Sequence, residues 1–212
     1  MTKYRGKKLH RPAHPKIYIW SHTKKAEIEY FQGFKNYLKT PLLMPKKKKC
    51  GDPQKLIYEV IGWKKENIKD EDKDQVWCIF DVDSFYEPNK QGMLQAIKDA
   101  HQNKIKIAYI NECFELWIYL HFQKPTSAIK RGKEIEKKIQ KAFTLNKLGK
   151  YKKNQNIFEL LLPFQAQALK NAKQLTTQLY KQINWESVLA RSGNPATNFH
   201  LLIQEVLKLY HK

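Results

Sequence analysis

The sequence predicts an α/β protein in which a mostly parallel sheet is flanked by helices and followed by a helical C-terminal part. Three observations predict it. Strand-like apolar runs at 16–20, 76–80 and 105–110 alternate with helical patterns over the first 122 residues, an order that implies right-handed crossovers between parallel strands. The run 76–80 (Val-Trp-Cys-Ile-Phe) is apolar without interruption, as in a strand covered on both faces. Beyond Pro125 the strand patterns stop and apolar residues recur at helical spacing.

Each element follows in order. Residues 1–15 carry Lys3, Arg5, Lys7, Lys8 and Arg11, two prolines and no acid, and read as a flexible basic arm. The α/β core is expected over 16–125. Its first strand runs into Ser21-His22-Thr23, and Ala26, Tyr30, Phe31, Phe34 and Leu38 mark the first helix. Asp52 before Pro53 supplies the N-cap and first-turn proline of a second helix with Leu56, Ile57, Val60 and Ile61. The strand 76–80 ends abruptly in Asp81-Val82-Asp83. A helix with Met93, Leu94, Ile97 and Ala100 leads to the strand 105–110, and 114–122 reads as a largely buried helix. Residues 126–212 form the helical part, expected to pack on the core. There Ile129, Ile135, Ile139 and Phe143 mark one helix, and 157–183 another, broken or kinked near Pro163. Asn194-Pro195 is expected to cap a last helix with Phe199, Leu202, Ile203, Val206 and Leu209.

The charge balance narrows the partners. The 212 residues hold 40 Lys plus Arg against 20 Asp plus Glu, a net charge of +20, which favours a polyanion over a neutral metabolite. Only Arg5, Arg11, Arg131 and Arg191 are arginine. Lysine meets phosphate as a point charge and lacks the planar fork that reads guanine edges, so backbone attraction is expected to outweigh base reading. A lysine-rich genome would explain lysine over arginine better than it explains a twofold excess of base over acid. Cys50, Cys78 and Cys113 form no close pair, which argues against a disulfide framework or a zinc ribbon. No apolar stretch approaches the ~20 residues of a membrane span, and the N-terminus lacks a signal-peptide core. A cytoplasmic protein that contacts no membrane is expected.

The sharpest chemical feature is Asp81 with Asp83. In extended backbone, residues i and i+2 project to one side, so the two carboxylates converge at the C-terminal end of a central strand, where open α/β sheets bind ligands. Close carboxylates repel, and holding a hard cation such as Mg²⁺ or Mn²⁺ is the chief reason to keep them together. The plain alternative is that Asp81 ends the strand while Asp83 or Ser84 caps the next helix. Among known uses of Asp-x-Asp after a strand, Phe85 argues against a dehalogenase-type phosphatase. A nucleotide-sugar transferase binding diphosphate through Mn²⁺ stays open, and the charge favours a Toprim nuclease. Glu115 stands inside an otherwise apolar segment, where an unpaired carboxylate is costly. It is a candidate metal group or, equally, a satisfied buried acid. His121 reads as a core histidine, and 70–74 as a solvated turn.

Several stretches together resemble one family. Glu27-x-x-Tyr30-Phe31, Asp81-x-Asp83-Ser84-Phe85, Asn111-x-Cys113-Phe114-Glu115-Leu116-Trp117 with His121-Phe122, and Asn194-Pro-Ala-Thr197 occur in this order. Over roughly 16–210 they resemble the RloB-like family, also called the AbiL second-component family. The resemblance implies a Toprim-related fold, a role in bacterial defence against phage (abortive infection), and an ABC-type ATPase partner. Its Toprim relatives are Mg²⁺-dependent nucleases that cut tRNA or DNA. The family carries Glu-Gly-x-x-Thr-Glu after the first strand. Aligned through Glu27, the leading metal glutamate is replaced here by His22 (by Ser21 if the register slips by one), Gly by Thr23 and Thr by Ala26.

The resulting expectation is a divergent nuclease, a hydrolase cutting RNA such as tRNA and, failing that, DNA. Asp81, Asp83 and Glu27 would hold Mg²⁺ or Mn²⁺, with Glu115 as a further candidate ligand. His22 would position water or protonate the leaving oxygen, and Lys16, Lys24, Lys25 and Arg131 would guide the nucleic acid. A homo-oligomer is left open. The alternative from another class is a catalytically silent nucleic-acid-binding or assembly subunit of a defence complex, motivated by His22.

Overall fold

The computed structural model describes residues 15–22, 25–46, 52–68, 73–82, 89–153, 155–179, 184–190 and 193–211. The chain forms β1 (Ile17–Ser21), α1 (Ala26–Tyr37), β2 (Leu43–Lys46), α2 (Pro53–Asn67), β3 (Gln75–Asp81), α3 (Lys90–Gln102), β4 (Ile105–Asn111) and α4 (Phe114–Leu120). There follow α5 (Lys133–Leu145), α6 (Phe158–Leu161), α7 (Gln165–Leu179), α8 (Trp185–Val188), β5 (Ala196–Thr197) and α9 (Phe199–Leu207). Among the described residues, five strands make one sheet in the order β2-β1-β3-β4-β5. The first four are parallel and β5 is antiparallel to β4.

Local chemistry sets the boundaries. Asp52 caps α2, its carboxylate accepting from the backbone N–H of Gln54 at 2.8 Å and of Lys55 at 3.4 Å, with Pro53 in the first turn. Pro163 stops α6 in a 3₁₀ turn, Leu162–Phe164, before α7 begins. Proline lacks the N–H that an α-helix would use there.

The sheet is covered on both faces, so β1, β3 and β4 are buried almost throughout. On one face α1, α4, α5, α6, α7 and α9 close a core that includes Phe31, Phe34, Trp117, Phe143, Phe158 and Phe199. On the other, α2 and α3 cover Val76, Cys78, Phe80, Ile107 and Tyr109. Residues of the helical C-terminal part thus share one apolar core with the central strands.

Three sequence expectations change. The strand β2 was not expected: it is four residues long, carries Pro45 and, among the described residues, pairs only with β1 at the sheet's edge, where a missing N–H is tolerated. Strands do not end at Pro125, since β5 adds Ala196 and Thr197 beside Asn111 and Ile110. The residue preceding the last helix is Asn198, not Asn194. The Asn194 amide instead donates to the Ile129 carbonyl at 2.6 Å and to Glu112 Oε2 at 3.1 Å, while its oxygen accepts from Ile129 N at 3.0 Å. Asn194 ties the segment before α5 to the end of β4.

Candidate functional site at the switch point of the sheet

The chain leaves β1 toward β2 by α1 on one face, and leaves β3 toward β4 by α3 on the other. Strand order therefore reverses between β1 and β3, and the crevice beyond their carboxyl ends is where open α/β sheets take ligands. Ser21 and His22 end β1 there, and Asp81 ends β3. His22 N donates to Ile79 O at 3.2 Å and Val82 N to Ile110 O at 2.8 Å, so both strand ends stay zipped into the sheet.

A cavity of about 340 Å³ opens at this edge, lined by Lys25, Glu27, Asp81, Glu115, Arg131, Tyr151, Lys152 and Lys153 among others. Three carboxylates thus reach it from different elements: Glu27 from the first turn of α1, Asp81 from β3 and Glu115 from the first turn of α4. All three are buried. A first-turn carboxylate gains from the N-terminal end of its helix, which offsets part of the desolvation of Glu27 and Glu115.

Cations answer them. Arg131 Nη2 donates to Asp81 Oδ2 at 2.8 Å and lies 3.5 Å from the Glu112 carbonyl. Lys153 Nζ lies 3.2 Å from Glu115 Oε1 and 3.8 Å from Glu136 Oε1. The Glu115 charge raises the Lys153 ammonium above its ordinary range. Burial, then Glu115 and Asp81, push the Cys113 thiol up. Burial, then Glu115 and Glu136, do the same to the Tyr151 hydroxyl. Glu115 is thus felt at Cys113, Tyr151 and Lys153 alike.

Of the residues expected from sequence, Glu27, Asp81, Glu115, Lys25 and Arg131 come together here. His22 is buried at the end of β1 but is not among the described residues lining the cavity. Lys16 lies at the other end of β1, where its N–H donates to Asp74 Oδ1 at 2.9 Å, about 16 Å from the site at ~3.3 Å per residue. Asp83, Lys24 and most of the basic arm fall outside the described residues. His121 is wholly buried against Tyr30 and Trp117. Tyr151, Lys152 and Lys153 were not foreseen; their only signal was a tyrosine set in the lysine run 150–153.

The oxygen donors suit a hard divalent ion in kind. Among the described residues, no three His, Cys, Asp or Glu side chains stand close enough to hold one as a group. Arg131 takes one oxygen of Asp81, and Lys153 one of Glu115. An ion would have to compete with both cations, or draw on Asp83 for a further carboxylate.

The sheet order and this crevice define an α/β protein with a mixed-charge cavity at its topological switch point. The RloB-like protein family model matches residues 17–206, most of the chain, and the protein belongs to that family. No curated protein and no solved structure matches it.

Proposed function

We propose that this RloB-like protein is a metal-dependent nuclease of the Toprim type in bacterial defence against phage, cutting RNA such as tRNA ahead of DNA. The observation that carries the reading is one cavity at the switch point that joins Glu27, Asp81 and Glu115 with Lys25, Arg131, Lys152 and Lys153. A phosphodiester site with a metal needs both sets: acids for the ion and cations for the phosphates. The adjacency of parallel β1 and β3 supports it, because side chains following each strand then converge. The net charge of +20 suits a polyanionic substrate.

Asp81, Asp83 and Glu27 would hold Mg²⁺ or Mn²⁺. When bound, that ion supplies charge neutralisation at the phosphate and an oriented water. Arg131 and Lys153 exchange their carboxylates for phosphate oxygens, Lys25 draws the strand in, and His22, buried at the end of β1, would have to turn toward the cavity to handle a proton. An ABC-type ATPase is the partner to seek by copurification. The test is cleavage of tRNA, total RNA and plasmid with Mg²⁺ or Mn²⁺, alone and with that ATPase. Wild type is expected to cut RNA, and Asp81→Asn and Glu115→Gln to lose the activity. Cleavage by Asp81→Asn at the wild-type rate overturns the metal assignment.

The ion pairs Arg131–Asp81 and Lys153–Glu115, with His22 where the family has glutamate, favour a second reading: a nucleic-acid-binding subunit without catalysis. Calorimetry with Mn²⁺ separates the two. The nuclease requires binding that Asp81→Asn abolishes; the silent subunit binds RNA and no Mn²⁺.

A further inference from the structure

Lysines on α5 stand where helix energetics disfavours them. Its apolar side, Ile135, Ile139, Ala142 and Phe143, is buried, and Lys133, Lys137 and Lys141 follow one another at i+4 on the exposed side. Like charges at that spacing cost a few tenths of a kcal/mol per pair, and Lys133 adds a cation at the helix's positive end. A merely solvated face would mix signs, as Glu134 and Lys138 do at 3.4 Å. Among the described residues, no carboxylate lies within ion-pair distance of Lys133, Lys137 or Lys141.

The chain after α5 doubles the row. Gln140 Nε2 donates to Gly149 O at 3.2 Å, and Tyr151 N donates to Gln140 Oε1 at 2.9 Å. Lys153 reaches Glu136. The return therefore runs antiparallel along α5, with Lys147, Lys150 and Lys152 exposed on it. At 100° per residue, the Glu136–Gln140–Thr144 stripe it follows lies next to the lysine stripe. Both rows end at the cavity, α5 beginning just after Arg131 and the return finishing at Lys152 and Lys153. Over 124–153 there are eleven basic residues and two acids, and both acids are ion-paired.

We infer that the exposed lysine rows of α5 and of its return segment form the phosphate track along which a single nucleic-acid strand reaches the cavity. This rests on the nucleic-acid reading above and names the surface that serves it. Lysines 133, 137 and 141 are spaced about 6 Å apart along the helix, at 1.5 Å per residue. They act on backbone charge, so the track has no base preference.

The test is anisotropy of fluorescein-labelled polyuridine across a KCl series without divalent ions, so that nothing is cleaved. The variant is K133Q/K137Q/K141Q; the control, K55Q/K65Q/K98Q, removes equal charge from exposed sites on α2 and α3 across the sheet. Circular dichroism checks that each folds. Three single-strand contacts at about 0.7 each predict that the α5 variant lowers the log–log salt slope by about 2 and weakens binding roughly a hundredfold near 0.1 M salt. The control stays close to wild type. Equal weakening by both variants, or none by the α5 variant, overturns the track while leaving RNA as the substrate. Failure of wild type to bind polyuridine, with binding to phosphatidylserine vesicles instead, overturns the nucleic-acid reading itself.

Discussion

Arg131 Nη2 donates to Asp81 Oδ2 at 2.8 Å, joining the segment before α5 to the end of β3 across fifty positions of sequence. Asp81 is almost fully buried, whereas Arg131 keeps 39% of its side chain in water. The arginine can swing into solvent, whereas the aspartate cannot follow it, so its departure strands a buried carboxylate unless another cation takes its place. In the proposed nuclease, a divalent ion and Arg131 would compete for the same carboxylate, and a phosphate and Asp81 for the same guanidinium.

Arg131→Ala is accordingly expected to move two affinities in opposite directions. Mn²⁺ binding, read by calorimetry, should tighten several-fold as the competitor disappears. Binding of polyuridine should weaken about tenfold through loss of a charge-assisted phosphate contact. Weakened Mn²⁺ binding in a folded Arg131→Ala protein would falsify the competition.

Asn198 is a side chain doing the work of a strand. Its Oδ1 accepts from Tyr109 N at 2.8 Å and its Nδ2 donates to Ile107 O at 2.8 Å, extending the edge of β4 below the two residues of β5. Thr197 Oγ1 adds a donation to Tyr109 O at 2.7 Å. Asn198→Ala leaves one buried donor and one buried acceptor unmatched, at ~1–3 kcal/mol each. The urea midpoint should fall by the equivalent of about 2–6 kcal/mol, with the slope unchanged. A loss under ~1 kcal/mol would mean that water replaces the amide.

How much of this was legible depends on how each residue is paid in structure. Strands β1, β3 and β4 could be read because burial on both faces leaves apolar runs, broken in β4 only by the exposed Lys106. Strand β2, with Pro45, and the two-residue β5 show no period, and only their neighbours make them strands. Asp81 stood out with Asp83 at the end of an apolar strand and Glu115 as a charge inside an apolar segment, whereas Glu27 was legible only through the family motif Glu27-x-x-Tyr30-Phe31. Lys152 and Lys153 did not stand out, because in sequence they belong to a solvated basic stretch and reach the cavity only after α5 has folded it back. Asn194 misled for a related reason: Asn-Pro is a cap signal locally, and its tertiary partners Ile129 and Glu112 lie more than sixty residues away.

Gly33 faces Phe158, and a Cβ built there would run into Cγ and Cβ of that ring. Phe158 is itself clasped by Tyr30 and Phe34, and the atoms struck belong to its stem rather than to a flexible tip. Gly33→Ala should therefore destabilise by ~1–3 kcal/mol despite the better helix propensity of alanine. Thermal melting checks the sign, since an unstrained helix site would gain stability from the same change.

His121 sets an acid limit on the fold. It is wholly buried, with Nδ1 2.9 Å from the Trp117 carbonyl and Nε2 facing the Tyr30 hydroxyl at 3.3 Å. In the neutral ring the proton therefore sits on Nδ1, donated to Trp117 O. Burial lowers its pKa from 6.5 to about 4. His200 is lowered to about 4 as well, by burial and then by Lys173. The unfolded chain takes up these protons near pH 6.5 while the folded one refuses them until about 4. Stability is then fully present above pH 6.5 and falls as the pH drops from 6.5 toward 4, by up to about 3 kcal/mol for a shift of this size at His121. Urea unfolding of wild type at pH 7.5, 6, 5 and 4.5 should show that decline. His121→Gln should be less stable at pH 7.5 yet show a shallower slope with pH. A slope equal to that of wild type would place the acid sensitivity elsewhere.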